Sequence, residues 1–293
     1  MKTFLLLSAI FMGLFNPILS FCDVIVEQVY INGDSSGVGD IEIDQNGDIY
    51  TIIYSKGVFK YSDNKWIYLN NNSANDISID NNGIIWSCSP KNSNLGKYTE
   101  GIWTFYPVNY ESYYVSEISA GIDDSIWALT LGSGILRFDR NGTIQSVFTE
   151  NDGLSSCWGN LIDTTRDGHV WISHTSINFC EGCIYKGVSH YNGEKWEIYT
   201  TDNGLLNKEV RSIVAFSATE AYIGGYGGIS KYNGNELETF ANYRVDKMSK
   251  GIDGSLWVAT WADYNTPNSR QIYLRYKNRE IFQYERKDSE ALS

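Results

Sequence analysis

The stretch GVSHYNG (187–193) returns 41 residues later as GISKYNG (228–234), and this repetition constrains the fold more than any other feature. Register marks set at the glycine turns reveal further columns. An aromatic recurs as Tyr50, Trp86, Trp127, Trp171, Tyr222 and Trp257, at spacings of 36, 41, 44, 51 and 35 residues. Nine residues before each stands an aliphatic or thioether side chain: Ile41, Ile77, Ile118, Ile162, Ile213 and Met248. A basic residue followed by an aromatic forms the third column, as Lys60-Tyr61, Lys97-Tyr98, Arg137-Phe138, His190-Tyr191, Lys231-Tyr232 and Arg275-Tyr276. Five residues past that aromatic lie Trp66, Trp103, Trp196, Leu237 and Ile281, the third copy slipping by one to Ile144.

Each copy divides into four strand-sized segments. Strand A is the ISID-like segment, strand B the IWSC- or LWVAT-like one, strand C ends in the basic-aromatic pair, and strand D reads WIYL, WTFY or WEIY. The A–B turns (DQNGD, DNNG, RDGH, IDGS) and C–D turns (YSDN, YNGE, YNGN) hold Asp, Asn and Gly, which tolerate the backbone of tight hairpins. Long helical periodicity is missing. Periods of about 40–45 residues with four strands apiece are the mark of propeller blades. The expected fold is all-β, one propeller of four-stranded antiparallel blades over residues 21–293, with repeats at about 36–72, 73–109, 110–148, 149–199, 200–240 and 241–293. Six blades are favoured. Seven is the alternative, because Val24 to Ile31 imitates the end of a strand D.

The segments FTENDGLSSCWGNLIDTTRDGHVWISH (148–174) and YTTDNGLLNKEVRSIVAF (199–216) resemble the two-component regulator propeller repeat, the blade type of periplasmic sensor regions in hybrid histidine kinases. They carry its DGL-type linker, its strand A and, in the first, its D-G-x-x-W-I turn. The resemblance spans residues 36–293, is sharpest in repeats three to five, and implies a sensory propeller. Such sensors usually have seven blades, and this sequence carries no kinase segments.

Residues 1–20 read as an export signal, with Lys2, an apolar run from Phe4 to Phe15, and Ile18/Ser20 before a mature start near Phe21. Phe21 occupies the place where a lipidated cysteine requires a small residue, so a lipid anchor at Cys22 is not expected. No later run is apolar enough for a membrane span. A net charge of −12 argues against nucleic acid, whose binding needs clustered Lys and Arg. The expected location is periplasmic or extracellular.

Cys180 and Cys183, in FCEGC, admit a local disulfide, half a metal site or a redox pair. The exported context favours the disulfide, and no further C-x-x-C or H-x-x-x-H completes a zinc set. DQNGD and DNNG look like calcium loops, but GIDD, RDGH and IDGS fill the same place, which points to turn geometry. A sialidase Asp-box is only superficially matched. No metal and no cofactor are expected. His169 lies in an A–B turn and His190 in the basic column, whereas His174 is unaccounted for by the repeat. Streptogramin B lyase, a propeller enzyme, uses a histidine pair with an acid and a metal, and no H-x-H occurs here.

Length variation falls in the B–C segments Thr175 to Lys186 and Trp261 to Arg270, and in the D–A linkers Thr149 to Ser156 and Thr200 to Asn207. These emerge at one end of the strands, and loops vary freely where blades must keep their packing. That end holds Trp158, His174, Glu209, Tyr226, Trp261, Asp263 and Tyr264, the expected ligand-binding residues. Aromatics beside acids suit a carbohydrate, a peptide or a cationic ligand, and the partner is expected to be a small molecule, a glycan or a protein. Non-catalytic binding is the expected function. A hydrolase or lyase with a carboxylate-lined funnel, and a structural or assembly element, are the alternatives. Two or more carboxylates converging with a His or Arg within about 4–6 Å at one mouth of the funnel would favour catalysis.

Overall fold

The computed structural model describes residues 38–63, 65–71, 74–89, 94–108, 114–174, 185–251, 253–261 and 271–285. They form six four-stranded antiparallel sheets, each built from strands consecutive in sequence, and the fold is a six-bladed β-propeller. Blade 1 is β1 (Val38–Ile43), β2 (Ile49–Ile53), β3 (Gly57–Ser62) and β4 (Lys65–Tyr68). Blade 2 is β5 (Asp76–Ile79), β6 (Ile85–Ser89), β7 (Asn94–Thr99) and β8 (Ile102–Pro107). Blade 3 is β9 (Val115–Ala120), β10 (Ile126–Thr130), β11 (Ile135–Phe138) and β12 (Ile144–Phe148). Blade 4 is β13 (Gly159–Thr164), β14 (Val170–His174), β15 (Gly187–Tyr191) and β16 (Trp196–Tyr199). Blade 5 is β17 (Val210–Ser217), β18 (Glu220–Gly225), β19 (Gly228–Tyr232) and β20 (Leu237–Ala241). Blade 6 is β21 (Lys247–Lys250), β22 (Leu256–Trp261), β23 (Gln271–Lys277) and β24 (Glu280–Glu285). The chain divides into two compact units, Met1–Asn109 with blades 1 and 2 and Tyr110–Ser293 with blades 3 to 6.

Within each unit the A strands of consecutive blades lie against one another: β1 with β5 in the first, and β9, β13, β17 and β21 in turn in the second. Apolar clusters fill the junctions. Tyr50, Ile52 and Val58 meet Leu69, Ile77 and Ile85 between blades 1 and 2. Trp127, Leu129 and Ile135 meet Leu154, Val170 and Trp196 between blades 3 and 4. Trp171 and Val188 meet Leu205, Ile223 and Tyr232 between blades 4 and 5, and Tyr222 and Ile229 meet Met248, Val258 and Leu274 between blades 5 and 6. Five residues of the aromatic column are buried, and Trp257 is half-buried. Of the aliphatic column, Ile77, Ile118 and Met248 are buried, whereas Ile41, Ile162 and Ile213 keep some exposure on their A strands.

The repeated motif and the DGL-type linker interlock. Thr149 and Thr200 each open a single 3-10 turn, Glu150–Asp152 and Thr201–Asn203, and in each the third residue's side-chain oxygen accepts a hydrogen bond from the threonine amide. The glycines that close the turns, Gly153 and Gly204, are left-handed (φ 107° and 108°), and Leu154 and Leu205 then drop into the inter-blade clusters. The Ser189 hydroxyl accepts the Ser155 amide (3.1 Å), and the Ser230 hydroxyl accepts the Leu206 amide (3.0 Å). Downstream in each motif, Asn192 accepts from the Glu194 and Lys195 amides, and Asn233 from those of Asn235 and Glu236. The chain repeats GVSHYNG as GISKYNG because the serine secures the preceding linker and the asparagine folds the following hairpin.

Candidate functional site

At the turn end of the strands, the basic column lies over the aromatic column. Lys60 stands 5.3 Å from the Tyr50 ring centroid, Lys97 5.0 Å from Trp86, Arg137 5.5 Å from Trp127, Lys231 5.3 Å from Tyr222 and Arg275 5.6 Å from Trp257. Acids from the A–B turns complete four of these: Asp48 on Lys60 (2.6 Å), Glu220 on Lys231 (3.1 Å), Asp123 on Arg137 and Asp253 on Arg275. In blade 4 histidines hold both of these positions. His190 stacks on Trp171 (3.9 Å, 10°), and its Nε2 shares a hydrogen bond of 2.8 Å with His169 Nδ1. Burial pushes the His190 pKa down to about 4, reinforced by His169 and opposed by Glu197. His169 also lines a cavity of about 200 Å³ with Asp123, Arg137, Thr165 and Tyr191.

The calcium-like turns are occupied by their own backbone. Asp44 accepts the Asn46 and Asp48 amides (2.8 and 3.0 Å), and Asp80 accepts those of Asn82 and Ile84 (2.9 and 3.0 Å). The second oxygen of Asp80 takes the Trp86 indole N–H at 3.0 Å. Among the described residues, no three His, Cys, Asp or Glu side chains are grouped to hold a metal ion.

At the opposite end, where the D–A and B–C segments emerge, the expected binding residues fall into two pairs. Trp158 forms an isolated bridge with Leu131 across the blade 3 B–C turn, and its ring lies close over Gly132. His174, at the end of β14, is buried beside the backbone of Ser156 and Trp158, but neither ring nitrogen makes a hydrogen bond of ordinary geometry. Desolvation pushes its pKa down to about 4. It therefore stays neutral across the physiological range.

Glu209 and Tyr226 form the second pair, joined through Arg211. The Arg211 guanidinium donates to the Tyr226 hydroxyl (2.7 Å) and to Glu209 (3.3 Å), with its carbon 4.7 Å from the Tyr226 ring centroid. Arg244 reaches the same ring at 4.4 Å and pairs with Asp246 at 3.0 Å. Tyr226 is 41% exposed at the tip of the β18–β19 hairpin. The hairpin and the entering linker approach closely: a Cβ on Gly225 would lie 2.4 Å from the Glu209 carbonyl oxygen. Trp261 closes β22; Asp263, Tyr264, Cys180 and Cys183 lie outside the described residues, as does the Val24 to Ile31 segment.

The sequence pattern singles out Glu209 and Tyr226 but not Arg211 or Arg244, and the columns do hold a signal for both. Two residues before the aliphatic column stand Gly39, Asn75, Ser116, Asn160, Arg211 and Asp246. Four residues before it, from Ser73 onward, stand Tyr114, Trp158, Glu209 and Arg244. A basic residue appears once in each set, and the fold brings these two to one tyrosine.

Fold and site together define an all-β propeller with a polar-aromatic cluster at its linker end. No protein-family model matches the sequence, and no curated protein matches it. Solved structures share its fold. The extracellular domain of the hybrid two-component system BT4673 from B. thetaiotaomicron superposes with a TM-score of 0.63 at 13% identity, over 90% of this chain and 35% of that one. Virginiamycin B lyase from Staphylococcus aureus gives 0.60 at 16% identity, over 87% and 86%. PorZ of Porphyromonas gingivalis, a surface component of the type-IX secretion system, gives 0.61 at 14% identity, over 83% and 40%. At such identities the likeness is one of fold.

Proposed function

We propose that this chain is an exported, non-catalytic propeller that binds a ligand or protein partner through its D–A and B–C segments, in the manner of the sensor propellers its repeats resemble. Export is supported by the leader-like first twenty residues and by the extracellular placement of the BT4673 domain. One observation carries the binding reading: Glu209, Arg211, Tyr226, Arg244 and Asp246 converge at the linker end, at positions where other blades carry different residues. Two carboxylates and two arginines come together there, yet each carboxylate is closed by the arginine two residues away. Both carboxylates are engaged by neighbouring guanidiniums, and the described residues place no histidine in this group. Binding is the better use of such a cluster.

Mass spectrometry of what the exported protein retains tests the reading. Tyr226→Ala and Trp158→Ala are expected to lose the retained species while the fold still melts cooperatively. Full retention by both variants would overturn the assignment of this face. Turnover of the captured species would transfer the protein to the enzymes.

A further inference from the structure

Building on the ligand-binding reading of this face, we propose that Arg211, Arg244 and the Tyr226 hydroxyl form a binding site for one oxyanion group, a carboxylate, sulfate or phosphate, carried by an otherwise uncharged small ligand. The two arginines come from different elements, Arg211 from β17 and Arg244 from the linker into blade 6. That linker is pinned on both sides. The Val245 amide donates to the Gly225 carbonyl (3.0 Å), the Asp246 amide donates to the Ala259 carbonyl (3.0 Å), and the Thr260 hydroxyl donates to the Arg244 carbonyl. Arg244 is therefore presented from a fixed backbone, and Arg211 from a strand. A site held on rigid elements loses little entropy when it captures a ligand.

The chemistry of the three groups selects the ligand. Guanidinium groups offer planar forks of donors that match the geometry of carboxylate, sulfate and phosphate oxygens. Because the Tyr226 hydroxyl accepts from Arg211, its own proton is left to donate, and the hydroxyl sits on a ring well exposed to solvent. Three hydrogen donors are thus gathered around one exposed ring. Two guanidiniums beside one ring make its surroundings locally positive, which favours an anionic group there. Glu209 and Asp246 offset the charge without covering the ring, each bound to the arginine two residues away. The charge of the whole chain, −12, repels a polyanion, so the site suits a single anionic group.

Titration calorimetry of the full exported chain with sodium glucuronate, inorganic sulfate and glucose tests the assignment. Glucuronate and sulfate are expected to bind and to compete with each other, weakening as sodium chloride is raised, while glucose does not bind. Arg211→Gln and Arg244→Gln should each weaken glucuronate about tenfold or more, and Tyr226→Phe several-fold. Arg211→Lys, which keeps charge but loses the fork, should recover only part of the affinity. Melting temperature and circular dichroism identify any variant that has lost its fold, and Tyr226→Phe, which keeps the ring, then carries the comparison. Absence of saturable glucuronate and sulfate binding by the wild-type chain would overturn the site, as would equal binding by both Gln variants. If a retained species still depends on Trp158 and Tyr226 while these titrations fail, the oxyanion assignment falls and the binding face stands.

Discussion

His190 stands where the other blades present lysine or arginine over their aromatic ring, and the exchange makes blade 4 sensitive to acid. His174 and His190 are each held down to about 4 in the fold, against an ordinary value of 6.5. The unfolded chain takes up these protons near pH 6.5, while the folded chain refuses them until about pH 4. Their contribution to stability is thus complete above pH 6.5 and is lost as pH falls toward 4, on the order of 3 kcal/mol for each ring. Thermal melts between pH 7 and 4.5 should show this decline. Replacing His169→Glu and His190→Lys, the acid and base that blade 5 uses at Glu220 and Lys231, is expected to remove about half of it and leave the His174 share. An unchanged pH profile in the double variant would refute the account. Trp171, fully buried under His190, gives the other residue-scale expectation: Trp171→Ala should cost about 3–5 kcal/mol in urea unfolding.

Among the elements, the linkers show why a glycine-leucine motif recurs where no strand does. Thr200 and Asn203 cap one turn, Gly204 turns the chain left-handed, and Leu205 is buried. Thr200→Ala is expected to cost about 1 kcal/mol, the usual worth of such a cap. Gly204→Ala should cost more, because its Cβ would meet the Leu237 carbonyl oxygen at 2.5 Å in a conformation that L-residues resist. Denaturant unfolding of the two variants would reveal the order, and the reverse order would show that the turn is not what holds the linker. The strands themselves were legible in the sequence because each of the six blades repeats the same pleat around an aromatic, buried in all but the last, as the Trp86, Trp127 and Trp171 column shows. The aliphatic column is less uniform in burial than its regularity suggests, since Ile41, Ile162 and Ile213 remain partly exposed.

At the scale of the whole molecule, blade number and strand order could be read from the repeat, whereas the site could be read only in part. Glu209 and Tyr226 stand out because they break the pattern, but Arg211 and Arg244 belong to different repeats and meet only when two blades come together. The five cysteines allow a test of the chain's covalent state. Cys88 is fully buried, and Cys157 carries a free, partly exposed thiol whose pKa burial raises. If Cys180 and Cys183 are joined, thiol labelling of the native protein should reach Cys157 slowly, Cys88 only on unfolding, and neither member of the pair. Labelling of either Cys180 or Cys183 would refute the bond. The serine clasps carry a consequence for synthesis. Ser155 is secured by a residue 34 positions further on, and Leu206 by one 24 positions further on, so each linker is released from the ribosome well before the hydroxyl that fastens it. Each of these two linkers is fastened only when the third strand of the blade it enters has emerged. Growth of the fold then runs in one direction, from N-terminus to C-terminus, with the newest linker always loose. Stalled chains ending at residue 226 should leave the Leu206 amide open to hydrogen exchange, and chains extended past residue 241 should close it.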